Sequence, residues 1–358
     1  MTRLIRAVID RGALQHNLTE LRRRASGAKI MAVVKANAYG HGLVDVATTL
    51  GAADALAVAR LDEALALRQA GISGRVVLLE GVFAQDELAE AIAHRLDIVL
   101  HDPAQLALLG ASKDAQVVPL WIKLDSGMNR LGFAPDKLGE VRRHISGTAF
   151  RTAPLGLMTH LARADETAAD WTRGQLARFA TSAKGEALPR SIANSAGVLA
   201  WPDSHADWVR PGIALYGISP FGKDDAAAHG LRPVMQLLST VIAIRPVRRG
   251  DAVGYGGTWV APRDSRIAVL AGGYGDGLPR NLAGDARVSI AGQSVPVVGR
   301  VSMDMVTVDV TDATGIETGA GAVLWGADAP VEALARCAGT IPYELVCGVS
   351  QRVPRELI

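Results

Sequence analysis

One lysine of this chain stands where an amino group could do covalent chemistry. Lys35 directly follows four apolar residues in the segment MAVVKANAYGHG. An ammonium at the end of such a run is partly withdrawn from water, so we expect its pKa to fall. A lowered pKa is what a lysine needs to form a Schiff base with a carbonyl compound. The alternative is a lysine that only extends its charged end from a strand terminus into water.

Two further polar residues end apolar runs. His160 follows LGLMT, and Arg210 follows Trp208 and Val209. If the runs are parallel strands of a barrel, such residues lie just past the strand ends, where barrels carry their working groups. The alternatives are a core histidine with its hydrogen bonds satisfied and an arginine in an ordinary ion pair at a strand end.

Composition limits the class of protein. The 358 residues correspond to roughly two domains at about 150 residues each. A hydrophobic share of 49% and a charged share of 21% are typical of globular chains and exclude a disordered or collagenous one. The net charge of +2 gives no reason to expect binding to nucleic acid or a membrane surface. With only Cys337 and Cys347 and no apolar signal core at the N-terminus, a cytoplasmic location is expected.

Eight short apolar runs predict the architecture of the first part of the chain. They lack polar alternation, as parallel strands buried on both faces should, and helical stretches separate most of them. Eight such units predict an α/β fold with an N-terminal (β/α)8 barrel of the TIM type, and an open doubly wound sheet is the alternative. The predicted strands are Ile30–Val34, Ala55–Val58, Val76–Leu79, Ile98–Leu100, Leu120–Leu124, Leu155–Thr159, Ser191–Ala193 and Trp208–Arg210. The predicted helices are Arg60–Ala70, Ala84–His94, Pro103–Leu109, Pro135–His144 and Asp170–Lys184.

The pattern changes after about residue 230. Strand-like segments there are separated by Gly, Asp and Pro at short intervals, which indicates a mostly β domain. The predicted strands are Val241–Ile244, Arg266–Ala271, Arg287–Ala291, Val295–Val301, Met305–Val310 and Gly321–Leu324. We therefore expect a barrel domain over 10–230 and a mostly β domain over 231–358, the latter joined by a strand at 1–9 (Arg3–Ile9).

The segment VVKANAYGHG closely resembles the pyridoxal-phosphate attachment site of bacterial alanine racemases, and the resemblance continues in order along nearly the whole chain. VVKANAYGHG and VGYGGTW are long and specific motifs. VGYGGTW covers 253–259, and the other matching segments are WIKLDSGMNRLG (121–132), MTHLARADE (158–166), IANSAG (192–197), WVRPGIALYG (208–217), GYGDGLPR (273–280), GRVSMDM (299–305) and YEL (343–345).

This resemblance implies an alanine racemase that uses pyridoxal 5′-phosphate held covalently by Lys35. It implies that His160 packs against the pyridine ring and that Arg210 faces the ring nitrogen. Because Arg keeps its proton, the ring would be a weak electron sink, which favours prompt return of the proton over side reactions. The phosphate ligands implied are Tyr39, Ser195, Gly212, Ile213 and Tyr343. Ser195 and Gly212 follow the last two predicted strands, where barrels often bind phosphate; the alternative for Ser195 is a helix N-cap.

Racemisation needs a base on each face of the substrate. The resemblance assigns these roles to Lys35 and Tyr255, the latter on the L-face. The alternative for Tyr255 is a packed aromatic in a Gly-rich turn, and a phenol of usual pKa near 10 needs cationic neighbours or a hydrogen bond to act as a base. Tyr274 would line the entrance.

The resemblance implies that two groups bind the substrate carboxylate: Arg130, which suits bidentate recognition, and the backbone N–H of Met303.

The lysine at the position of Lys123 is carbamylated in some members of the family. The alternative for Lys123 is a surface pair with Asp125.

The resemblance further implies a homodimer in which each site takes Lys35 from one chain and Tyr255, Tyr274 and Met303 from the other. The enzyme would supply D-alanine for peptidoglycan or serve alanine catabolism. A decarboxylase of basic amino acids and a pyridoxal-phosphate-binding homeostasis protein are the alternatives. The first would need a Cys–Asp arrangement in place of VGYGGTW, and the second resembles the barrel alone. No catalytic metal is expected, because none of five histidines has ligand spacing to a carboxylate or Cys. These are His41, His94, His101, His205 and His229.

Overall fold

A computed structural model describes residues 4–111, 118–147, 154–282 and 284–358. The chain divides into two compact units. The barrel unit consists of Asn17–Ala38 and Leu43–Leu215, and the β unit consists of Met1–His16, Tyr39–Gly42 and Tyr216–Ile358. Within the described ranges, no helix has the length and apolar character needed to cross a bilayer.

A closed barrel of eight parallel strands forms the core of the barrel unit. Nearly every described strand residue is buried, as expected for strands covered on both faces. The predicted barrel is confirmed and the open doubly wound sheet is wrong, because the last strand pairs back with the first (Lys29↔Trp208 and Ile30↔Val209). The barrel strands are Lys29–Val33, Ala55–Val58, Val76–Leu78, Asp97–Leu100, Leu120–Lys123, Pro154–Met158, Arg190–Ser191 and Trp208–Val209.

Helices follow the strands along the chain. The five predicted helices are present, each with ends within three residues of the expected ones. The helices through residue 200 are Arg11–Arg24, Leu43–Thr49, Leu61–Gln69, Gln85–Ala93, Pro103–Ala111, Leu138–Ser146, Trp171–Ser182 and Ser195–Ala200.

An eight-stranded sheet dominates the β unit. Its longest strand, Met235–Val247, alternates buried and half-buried residues over its first half, so one face packs inward. Arg6–Ile9 pairs antiparallel with this strand and parallel with Arg355–Leu357; the predicted strand start, Arg3, lies outside the described residues. The remaining strands of the sheet are Ser265–Ala271, Arg287–Ile290, Gln293–Pro296, Met305–Asp309 and Gly321–Trp325. A separate hairpin pairs Ala252–Val253 with Trp259–Val260, and two helices, Val331–Ala338 and Pro342–Cys347, complete the unit.

Candidate active site

Lys35 begins a turn of unusual hand. It follows the strand Lys29–Val33 and Val34, and the next four residues, Ala36 to Tyr39, have φ between 52° and 54°. This is the left-handed helical region, which costs a residue with a side chain about 1–2 kcal/mol. A run of four non-glycine residues there persists only where surrounding contacts fix it. The backbone that carries Lys35 is therefore held in a strained conformation by the fold.

Lys123 is a buried cation at the end of the strand Leu120–Lys123. Burial, and then the charges of Arg210, Arg130 and Lys35, lower its pKa to about 8. A substantial fraction of its amine is therefore neutral at slightly alkaline pH. Because Lys123 is buried, the alternative of a surface pair with Asp125 is wrong.

Asp125 instead organises the loop that leads to Arg130. Its Oδ1 accepts the backbone N–H groups of Gly127, Met128 and Asn129 at 2.8, 2.9 and 3.1 Å. Asn129 has φ of 56°, which turns the chain sharply before Arg130. The arginine itself is exposed, so its guanidinium is available to a ligand.

Arg210 is a deeply buried cation with neutral partners. Only 4% of it is exposed. Its guanidinium donates to Ser191 Oγ at 2.6 Å, to the Thr159 carbonyl at 2.5 Å and to the Ile192 carbonyl at 3.2 Å. These are not the contacts of an ion pair. Burial lowers the pKa of Arg210 to about 10, which still leaves it protonated at neutral pH.

His160 lies beside Arg210, with its Nδ1 at 3.4 Å from a guanidinium nitrogen. Burial lowers the pKa of His160 well below its usual value, and the charges of Arg210, Lys123, Arg130 and Lys35 lower it further. The ring is therefore neutral. These five side chains form one electropositive cluster within the barrel unit, and its charge favours an anionic ligand.

Ser195 ties together the ends of the last two barrel strands. Its hydroxyl oxygen accepts the N–H groups of Gly212 at 2.9 Å and Ala214 at 3.2 Å. The alternative that Ser195 caps a helix is wrong, because Asn194 is the N-cap and accepts the N–H of Gly197 at 2.9 Å. Ile213, between the two donors, is buried.

Tyr39 and Tyr343 come together in the β unit, although they are far apart in sequence. Their ring centroids are 6.1 Å apart, and Tyr216 lies 4.9 Å from Tyr39. Burial, with Tyr343 and Cys347 nearby, raises the pKa of Tyr39 far above its usual value. Its phenol therefore remains a hydrogen-bond donor at any working pH.

Tyr255, Tyr274 and Met303 lie on neighbouring loops of the β unit and are 62%, 40% and 52% exposed. The Tyr274 N–H donates to the Ser302 carbonyl at 3.0 Å, and the Gly275 N–H donates to the Met303 carbonyl at 2.9 Å. All three side chains are exposed on these loops, which we call the loop face.

Sequence reasoning missed residues whose role depends on contacts distant in sequence. Arg300 is one: a Cβ on Gly256 would meet its Nη1 at 3.0 Å, which places a guanidinium beside the Tyr255 turn. Glu63, Asp276 and Arg352 are the others: Glu63 accepts the Ala36 N–H, and Arg352 donates to Asp276. The motif GRVSMDM could have signalled Arg300, since it also contains Met303.

A strand-end lysine, a cationic cluster at the strand ends of a parallel barrel and a second, mostly β unit are features of a two-domain enzyme with a site for an anionic ligand. Comparisons with known proteins specify the family. The model described as "Alanine racemase, N-terminal domain" matches residues 9–220, and "Alanine racemase, C-terminal domain" matches residues 234–357. The second match argues against the barrel-only homeostasis protein.

Curated relatives and solved structures agree. The chain is 49% identical over 354 residues to the alanine racemase of Nitrosococcus oceani, covering 98% of each chain. It is 48% identical over 349 residues to that of Shewanella sediminis, covering 97% of each. The crystal structure of the biosynthetic alanine racemase from Pseudomonas aeruginosa is similar over 100% of both chains, with 41% identity and a TM-score of 0.96. The structure from Acinetobacter baumannii gives 40% identity and a TM-score of 0.94, again over 100% of both chains. The chain belongs to the alanine racemase family and is a racemase.

Proposed function

We propose that this racemase interconverts L-alanine and D-alanine, with pyridoxal 5′-phosphate held through Lys35. The observation that carries the proposal is the cluster of Lys35, Lys123, Arg130, His160 and Arg210 at the strand ends of the barrel. Its buried guanidinium has neutral partners, so the cluster is suited to anionic ligands such as a phosphate ester and an amino-acid carboxylate.

Each unit contains hydrogen-bonding groups of the kind that bind a phosphate ester. In the barrel unit these are the Ser195 hydroxyl and the backbone N–H groups of Gly212, which donates to Ser195 Oγ, and Ile213; in the β unit they are the phenols of Tyr39 and Tyr343. We propose these five as phosphate ligands. Arg210 would face the ring nitrogen and, because it stays protonated, could only donate to it. His160, held neutral, would pack against the ring.

When bound, pyridoxal phosphate supplies a conjugated ring that withdraws electrons and so acidifies the α-hydrogen of an amino acid. The chain supplies the two bases. Lys35 Nζ, once the substrate amine has displaced it from the cofactor, removes or returns the α-proton on one face, and Tyr255 Oη does so on the L-face. Arg300 places a guanidinium beside the Tyr255 turn.

Two groups orient the substrate carboxylate. Arg130 binds it through its exposed guanidinium, and the Met303 backbone N–H donates to it. We propose that Lys123 is carbamylated, since its lowered pKa provides the neutral amine that attacks carbon dioxide. The resulting anion orients Arg130.

The loop face supports a homodimer. Tyr255, Tyr274 and Met303 are exposed on a single chain, yet the reaction requires Tyr255 beside a substrate. A C2 dimer in which each loop face contributes to the partner's site resolves this and produces two equivalent sites. Tyr274 then lines the entrance. The D-alanine formed supplies peptidoglycan synthesis, or the enzyme serves alanine catabolism.

Chiral product analysis tests the proposal. Purified protein given L-alanine alone should form D-alanine until the two are equal, and Lys35→Ala should form none. The same variant should also lose the borohydride-reducible link to the cofactor, because the tether and one base disappear together. No D-alanine from wild type, or a reducible link retained in Lys35→Ala, would overturn the assignment.

A further inference from the structure

Glu63 contacts the turn that carries Lys35, although the two lie on different strand–helix units of the barrel. Glu63 is on the first turn of the helix Leu61–Gln69. Its Oε2 accepts the N–H groups of Ala59 at 2.9 Å and Arg60 at 3.4 Å, which is how a glutamate at this position caps its own helix. Its Oε1 is not needed for capping. That oxygen accepts the N–H of Ala36 at 2.6 Å.

Ala36 is the first residue of the left-handed turn. Its N–H is the donor immediately after Lys35, so the carboxylate fixes the peptide plane that follows the lysine. The middle of the turn has a separate contact, because Asn37 Oδ1 accepts the Leu43 N–H at 2.9 Å. A strained backbone persists only when its surroundings determine it, and a charge-assisted hydrogen bond is among the strong ways to do so.

We propose that Glu63 is a positioning residue for Lys35: its carboxylate bridges two neighbouring strand ends and holds the left-handed turn that aims the lysine amine. This rests on the proposed function, in which Lys35 binds the cofactor. Glu63 acts through the backbone and needs no contact with substrate or cofactor.

The chain offers a matched control in the next unit. Glu87, on the first turn of the helix Gln85–Ala93, accepts the N–H of Phe83 at 2.7 Å. It thus caps its own strand–helix loop as Glu63 caps the loop at Ala59, but among the described residues it makes no hydrogen bond to the Lys35 turn. Loss of a loop cap alone should therefore be equal in Glu63→Gln and Glu87→Gln.

The change to glutamine keeps size and removes one acceptor. A carboxamide has one oxygen, so it can accept from Ala36 or from the Ala59 side but not both, and its NH2 then faces an N–H donor. Glu63→Asp keeps the charge but shortens the reach, which separates the two properties. Both variants should weaken the hold on Ala36.

The experiment uses the full chain, freed of cofactor and reconstituted with pyridoxal 5′-phosphate. Cofactor affinity is followed by the visible absorbance of the Schiff base, and the turn itself by amide hydrogen exchange at Ala36. Glu63→Gln and Glu63→Asp should each bind the cofactor about tenfold more weakly and exchange Ala36 about tenfold faster, as loss of one hydrogen bond to a charged group predicts. Glu87→Gln should match wild type in both readouts.

Wild-type affinity and exchange in Glu63→Gln would overturn the inference, and so would an equal loss in Glu87→Gln. Failure of the proposed function is distinguishable, because exchange at Ala36 reports the turn without cofactor, whereas a reducible link in Lys35→Ala contradicts the role of Lys35 alone.

Discussion

The guanidinium of Arg352 donates to both carboxylate oxygens of Asp276, at 2.7 and 2.9 Å. Asp276 is buried and also accepts the Gly273 N–H at 2.9 Å. A further donation from Arg352 reaches Asp304 at 2.5 Å. The pair thus connects the Tyr274 turn with the segment next to Met303, and it fixes two of the three loops of the loop face.

Weakening this pair should disturb substrate entry more than chemistry. Asp276→Asn keeps the shape but removes the charge and one acceptor for Arg352. We expect KM for alanine to rise by roughly an order of magnitude with a smaller change in kcat. This is the result when a mutation removes binding energy that the ground state and the transition state share. Steady-state kinetics measure this. A fall in kcat alone would show that the pair acts on the reacting groups instead.

A buried carboxyl at the amino ends of the barrel strands gives stability a pH dependence. Asp97 lies 3.1 Å from Arg75 and accepts from Trp121 at 3.3 Å, but burial outweighs both contacts and raises its pKa to about 6. Because the pKa of Asp97 is raised in the folded state, its contribution to the free energy of unfolding is fully present below its pKa in the unfolded chain, near 3.9. That contribution is lost as pH rises through about 6.

We therefore expect the free energy of unfolding of wild type, minus that of Asp97→Asn, to fall between about pH 4 and 6, by up to about 3 kcal/mol. Urea unfolding of both proteins across this range measures the difference. A difference that stays constant or rises would mean that Arg75 holds Asp97 ionised.

Arg210→Glu should change which reaction follows proton removal. A carboxyl group could keep the ring nitrogen protonated, which makes the ring a stronger electron sink and prolongs the carbanion. Racemisation should slow by at least about tenfold, and side products such as the keto acid of transamination should increase. Product analysis by chiral chromatography measures both. Equal rates with no new product would contradict the placement of Arg210 at the ring nitrogen.

The two proposed bases can be separated and then recombined. Tyr255→Phe should lower racemisation by roughly a hundredfold or more, the scale of a general base. Exchange of the α-proton of D-alanine in heavy water should persist, because Lys35 is intact. After subunit exchange, a mixture of Lys35→Ala and Tyr255→Phe chains should regain activity, since one site of the heterodimer has both bases. Verified heterodimers without activity would show that both bases belong to one chain.

The barrel was predictable because strands buried on both faces appear as uninterrupted apolar runs, and residues that end such runs mark the strand ends. The left-handed turn after Lys35 was not, since Ala36, Asn37 and Ala38 are not the glycines that positive φ favours. Contacts from elsewhere in the barrel, such as that of Glu63 with the Ala36 N–H, hold it. The roles of the site residues, the domain limits of 10–230 and 231–358, the homodimer and the cytoplasmic location stay predictions.

The two shortest strands of the barrel are neighbours. Arg190–Ser191 and Trp208–Val209 are joined by the single register pair Ser191↔Trp208, whereas Leu120–Lys123 and Pro154–Met158 share four. The pairing of these two strands is the shortest in the barrel, although the Asp207 N–H also donates to the Arg190 carbonyl at 3.2 Å and the Arg210 N–H to the Ala193 carbonyl at 2.8 Å. We therefore expect the amides of this seam to exchange hydrogen fastest among the strands. Ser195 and Arg210 stand at the same seam. A ligand that binds both residues would stabilise the folded barrel by mass action. The holoprotein would then unfold more cooperatively than the chain without cofactor.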